Sequence, residues 1–120
     1  MKKNVVKDKS FAFALRIVRL FNYLQSEKKE FIMSKQLMRS GTAVGALIRE
    51  AEHAESKADF IHKMAIAQKE CNETAYWLEL LHQSEYLSNK EFEAIISEQI
   101  EISKLLASII ITSKEKVYGK

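Results

Sequence analysis

The chain has 120 residues, 47% of them hydrophobic and 29% charged, with a net charge of +3, a single cysteine and no proline. These figures exclude a disordered chain and a disulfide scaffold. With only three glycines and no proline, they also exclude a turn-rich sheet protein. They predict one domain, residues 1–120, built from a few long helices with short connections.

The first segment is basic. Lys2, Lys3, Lys7 and Lys9 precede the first expected helix with only Asp8 opposing them. That helix is predicted over about residues 10–25, with Ser10 as its N-cap. It carries two apolar stripes. Phe11, Ala14, Leu15, Val18 and Phe21 or Asn22 form one, and Phe13, Ile17, Leu20 and Leu24 form the other. Two stripes make an apolar face wider than a single helix–helix contact needs. Arg16 and Arg19 interrupt the stretch, so it does not read as a signal peptide. Lys28-Lys29-Glu30 breaks the periodicity and reads as a loop.

The second helix, about residues 34–55, contains the stretch around which the chain is organised. Gly41 and Gly45 lie four residues apart inside a helical pattern. A glycine in a helix costs about 1 kcal/mol relative to alanine, so a pair of them needs a reason. The reason inferred is close packing of a neighbouring helix against a thin side made with Ser40, Ala43 and Ala46. Leu37, Val44, Leu47 or Ile48, and Ala51 supply its core side.

Ser56-Lys57-Ala58-Asp59 is similar to a capping box and starts the third helix, about residues 57–84. Phe60 or Ile61, Met64, Ala67 or Gln68, Cys71, Ala75 and Leu78 lie along one side of it. Ser88-Asn89-Lys90-Glu91 is a full capping box and opens the fourth helix, about residues 88–116. Phe92, Ile95, Ile96, Ile102, Leu106, Ile109 and Ile110 face inward there. Lys114, Lys116 and Lys120 close the chain with only Glu115 opposing. The two terminal segments carry +3 and +2, which leaves −2 for residues 10–113. The fold class is therefore all-α, an antiparallel up-down-up-down four-helix bundle.

Counting from the turn near residue 56, Glu73 comes level with Ser40, Thr74 with Arg39, and Glu70 with Ala43. Arg39 can then reach Glu70 or Glu73 across the interface. A buried bidentate pair that fixes register or orients a subunit contact is expected, in preference to an exposed surface pair. Glu50-x-x-His53 and Glu79-x-x-His82 fit the ligand pattern of di-iron bundles. At 1.5 Å per residue, however, the two motifs are roughly 25 Å apart along the bundle, so no metal is expected. Cys71 falls on an apolar side, Ser40 has no histidine at its level, and no phosphate-binding glycine motif occurs. No catalytic residue, cofactor or small-molecule substrate is read. No apolar run is long enough to span a membrane, and a lone cysteine fits a reducing compartment, so the expected location is the cytoplasm.

Gln36-Leu37-x-Arg39-Ser40-Gly41-Thr42-Ala43-Val44-Gly45-Ala46, followed by Glu50-Ala51, resembles the central signature of bacterial four-helix-bundle proteins related to the 23S rRNA intervening-sequence protein. Ser56-Lys57-x-Asp59-Phe60-Ile61-x-Lys63 resembles it too, as does Ala67-x-Lys69-Glu70-x-x-Glu73-Thr74-x-Tyr76-Trp77-Leu78. The chain is also similar to the accessory variability proteins of diversity-generating retroelements. Leu47 departs from the family pattern, which usually has Asn there. The resemblance implies a barrel-like homopentamer that engages RNA or a ribonucleoprotein such as a reverse transcriptase complex.

The functional expectation is a non-enzymatic homo-oligomeric scaffold or adaptor that contacts RNA. One alternative is a protein-interaction module without nucleic acid. Another is an enzyme using the Arg39, Glu70 and Glu73 cluster. The interface polar cluster is read as Arg39, Ser40, Glu50, Glu70, Glu73, Thr74 and Trp77. Nucleic-acid contacts are read as Lys2, Lys3, Lys7, Lys9, Lys114 and Lys116, for which solubilising tails are the alternative.

Overall fold

A computed structural model describes residues 4–119. Four helices follow one another: α1 (Val5–Ser26), α2 (Met33–Ala51), α3 (Lys57–Gln83) and α4 (Asn89–Tyr118). Each packs on the next and α4 returns to α1, with no diagonal helix pair in contact among the described residues. This is the bundle expected from the periodicity. The α1–α4 seam that closes it is by far the sparsest of the four.

One side of each helix builds the core. From α1 come Phe13, Ile17 and Leu24, which belong to the second of the two stripes. Leu37, Val44, Ile48 and Ala51 come from α2, Met64, Ala67, Cys71 and Leu78 from α3, and Ile95, Ile102 and Leu106 from α4. On the other α1 stripe Phe11 and Leu15 remain 49% and 41% exposed, so the bundle does not consume it.

The start of α1 differs from expectation. The helix begins at Val5, and Asn4, in extended conformation, caps it by accepting the Lys7 N–H at 3.1 Å. Ser10 is no cap. It is buried within the helix, where its hydroxyl donates to the Lys7 carbonyl at 3.0 Å. Val6 extends the core stripe by two turns, and its burial holds together a segment that charge alone marked as a tail.

At its other end α2 stops at Ala51, short of Glu55. Glu52, His53 and Ala54 then form tight turns through N–H bonds to the carbonyls of Arg49, Glu50 and Ala51. Ser56 accepts the Asp59 N–H at 3.0 Å, but Asp59 accepts from Glu55 instead of Ser56, so the capping box is incomplete. The Ser88–Glu91 box is reciprocal, as its sequence demands.

Gly41 meets the expectation of close approach. A Cβ there would lie 2.8 to 3.0 Å from the side chain of Ile17, which is fully buried in α1. Gly45 is less constrained, since its Cβ would come no nearer than 3.4 Å to Ser10.

Candidate functional site

The register deduced from the turn brings Arg39 and Ser40 level with Glu73 and Thr74, but with the partners exchanged, since Ser40 meets Thr74 and Arg39 meets Glu73. Ser40 and Thr74, both fully buried, bring their hydroxyls to 3.0 Å across the α2–α3 seam. Each hydroxyl also lies near a carbonyl of its own helix, Leu37 at 3.5 Å and Glu70 at 2.8 Å. The pair is thus satisfied without water, which fixes the level at which the two helices meet.

Arg39 reaches both acids, Glu73 at 2.6 Å and Glu70 at 3.1 Å. The expectation of burial fails, because the Arg39 side chain is 50% exposed and that of Glu73 is 37% exposed. Arg39 lies on the outer edge of α2, and a long side chain there covers the seam from outside. The contact does not follow the bidentate pattern of one carboxylate. Two nitrogens of the guanidinium serve two different acids, with Nη1 donating to Glu70 and Nη2 to Glu73.

The second oxygen of Glu70, Oε1, is buried and accepts no hydrogen bond although Arg39 stands close by, so charge alone holds it. Trp77 Nε1–H donates to Glu73 at 3.0 Å, and the Tyr76 ring meets the Trp77 ring edge-on at 4.9 Å. The Trp77 and Arg39 hydrogen bonds hold the Glu73 carboxyl below its ordinary value. Glu50 is exposed on α2 and takes no part, which corrects its place in the cluster.

The terminal lysines are dispersed. Lys7 and Lys9 ride on α1, where they pair with Glu52 at 3.1 Å and Glu101 at 3.0 Å. They are therefore not a tail. Lys114 and Lys116 are exposed on the last turns of α4. Lys2 and Lys3 lie outside the described residues.

Two apolar faces remain uncovered. On the α1–α2 side, Phe11 and Leu15 stand exposed beside a groove lined by Ala14, Thr42, Gly45 and Ala46. The Arg49 guanidinium lies over the Phe11 ring at 5.0 Å. On the α2–α3 side, Tyr76 (57% exposed) and Leu80 (36%) follow one another along α3 beside Trp77. Phe31 and Ile32, exposed at the start of α2, belong to the same end of the bundle. Ile100 and Ile111 stand singly along α4.

Two buried polar groups went unread in the sequence. Glu30 is 6% exposed, and its carboxylate accepts the N–H groups of Ile32, Met33 and Ser34 at 3.1, 3.0 and 2.7 Å. It caps α2, whose N-cap residue Ile32 offers no side-chain acceptor. The signal was a carboxylate just ahead of a helix start, hidden in a lysine-rich loop. Gln99 sits in the core side of α4, where its amide donates to the Cys71 carbonyl at 3.0 Å and ties α4 to α3. Burial pushes the Cys71 thiol up, partly offset by Gln99, which marks it as a structural thiol.

The geometry defines an all-helical bundle whose polar and apolar features are concentrated on its side faces. The chain belongs to the 23S rRNA-intervening sequence protein family, whose model matches residues 2–108. It is similar to a crystallised protein of unknown function from the S23 ribosomal protein family of Bacteroides thetaiotaomicron, at 60% identity and a TM-score of 0.87. That match covers 88% of this chain and 97% of the other. No curated protein matches. No helix among the described residues is long and apolar enough to cross a membrane.

Proposed function

We propose that the chain is a non-enzymatic scaffold that assembles with itself side by side. The observation that carries this reading is the presence of two different exposed apolar faces on one chain. One is centred on Phe11 and Leu15, the other on Tyr76 and Leu80. Exposed apolar patches mark interaction sites. Two unlike patches meeting head to tail generate a ring when the rotation closes. A pentamer is the closure that the family resemblance implies. The two faces flank α2, so a ring joined through them puts α2 toward the axis and α4 outermost.

The test is a mixing experiment. Phe11→Glu with Leu15→Glu spoils one face, and Tyr76→Glu with Leu80→Glu spoils the other. Each variant alone is expected to run as a monomer by light scattering. A mixture keeps one intact pair of faces and is expected to give a dimer and nothing larger. If either variant alone assembles like the parent, the head-to-tail reading is wrong.

RNA contact, in this reading, draws on Lys114 and Lys116, because Lys7 and Lys9 are engaged by Glu52 and Glu101. Contacts to phosphate weaken steeply with salt. Lys114→Gln with Lys116→Gln is expected to reduce low-salt RNA binding several-fold, and Lys7→Gln with Lys9→Gln to leave it unchanged. Equal effects of the two pairs, read by filter binding, would show that the end of α4 is not the contact.

A further inference from the structure

The two exposed apolar faces stand at different heights along the bundle. Ile17 faces Gly41 across the α1–α2 seam, and Ser40 meets Thr74 across the α2–α3 seam. Counted from these contacts, Phe11 and Leu15 of α1 are level with Ala67 and Cys71 of α3. Tyr76 and Leu80 lie about nine residues further along α3, ~13 Å at the helical rise. The surface that answers each face at its own height is polar. On the outer side of α3, Lys69 and Asn72 are exposed at the height of Phe11 and Leu15. On the outer side of α1, Asn22 is exposed between the heights of Tyr76 and Leu80.

Beside Phe11 the α1–α2 face carries a socket. Its cavity of about 280 Å³ is lined by Phe11, Ala14, Thr42, Gly45, Ala46 and Arg49, none of which is buried. The bundle itself does not require glycine at position 45, because a Cβ there would meet nothing nearer than 3.4 Å. Glycine nevertheless weakens a helix, and here it leaves the floor of the socket open. On the other face, Tyr76 is the most exposed large apolar side chain of α3, and the Trp77 ring meets it edge-on at 4.9 Å. A ring braced in this way loses little freedom when it is buried.

We propose that two copies of the chain meet in a staggered register, with Tyr76 of the second copy seated in the socket over Gly45 and Leu80 of the second copy on Leu15. The proposal rests on the self-assembly reading and adds the register of the contact to it. Parallel bundles packed at equal height would set Phe11 and Leu15 on Lys69 and Asn72, and Tyr76 against Asn22. That would bury polar groups against apolar ones without partners, which is costly. A stagger of about nine residues sets apolar on apolar instead. Because α1 and α3 run in the same direction, Phe11–Leu15 and Tyr76–Leu80 match turn for turn and engage together. Closure into a ring returns every contact to its starting height. Across transverse extents of 27 and 22 Å, a stagger of ~13 Å is absorbed by tilting each bundle roughly 30° against the ring axis. Without the tilt, the same contact climbs ~13 Å per copy and makes a filament.

The test is disulfide cross-linking between copies of the full chain, read on non-reducing gels. Leu15→Cys with Leu80→Cys reports the staggered register, and Leu15→Cys with Asn72→Cys reports equal heights. Cys71 is buried and stays out of the reaction. Oxidation with copper phenanthroline is expected to link the staggered pair into a ladder of covalent oligomers. The equal-height pair is expected to link at least tenfold less. Gly45→Leu fills the socket and is expected to give monomers by light scattering, with the parent helix content by circular dichroism. Preferential linking of the equal-height pair overturns the register and leaves self-assembly standing. Parent-like assembly of Gly45→Leu overturns the socket. A parent chain that runs as a monomer overturns the self-assembly reading itself, and the register with it.

Discussion

At the residue scale, the paired glycines have separate roles. Gly41→Ala gains helix propensity of about 1 kcal/mol but drives a methyl into Ile17, which is fully buried and cannot swing away. The variant is expected to melt lower than the parent, and in an Ile17→Ala background, which removes all three contacting atoms, Gly41→Ala is expected to cost nothing. Gly45→Ala meets only ordinary contact with Ser10 and is expected to be neutral or stabilising by up to about 1 kcal/mol in monomeric protein. Thermal denaturation of these variants checks both statements. Identical shifts for the two glycines would show that the Ile17 contact is not what distinguishes them.

Glu30 carries the pH dependence. Burial by itself disfavours its charged form, but the N–H groups of Met33, Ser34 and Ile32 outweigh burial and hold the carboxyl below its ordinary value. A folded-state value below the unfolded one gives stability that is present above the unfolded value of about 4.3 and is lost as pH falls through the folded value. Glu30→Gln keeps an acceptor but removes the charge. It is expected to cost about 1 kcal/mol at neutral pH, and the gap to the parent should narrow as pH falls below the unfolded value of about 4.3. Urea titrations at neutral and acid pH give the two numbers. A gap that stays constant with pH would mean that the charge of Glu30 is not what caps α2.

At the scale of the element, sequence periodicity locates all four helices and errs at their ends. Helix interiors are set by the repeat of apolar side chains, which is visible in one dimension. Ends are set by which polar group satisfies the free N–H and carbonyl groups, and here those groups are not the expected ones. Asn4 caps α1 in place of Ser10, and Glu30 caps α2 from the preceding loop. The Arg39 contacts are legible in the sequence because they depend only on helix rise and a turn of known position. Their exposure is not, because it depends on where around α2 the bundle's outer surface begins. Gln99 escapes notice because a polar residue in an apolar stripe reads as a break until its partner, the backbone of Cys71, is located in space.

At the scale of the molecule, the apolar excess on α1 is legible from periodicity alone. A bundle seam uses one stripe of a helix, and α1 has two. Which stripe stays outside, and that a second exposed face stands on the α2–α3 side, follow only from how the four helices rotate against one another. The proposed closure into a pentamer rests on the family resemblance alone.

The sparse α1–α4 seam also has a temporal meaning. Both α2 and α3 are flanked by two dense seams, whereas α1 and α4 each have one dense seam and one thin one. Cooperative opening units follow such differences in contact density. Amide hydrogen exchange is therefore expected to be slowest in the middle of α2 and α3, around Val44 and Cys71, and faster throughout α1 and α4. Exchange that is uniform across the four helices would mean that the molecule opens only as a whole. With the expected order, α2 and α3 form a persistent hairpin from which the outer helices detach reversibly, and the chain visits a half-opened state without unfolding.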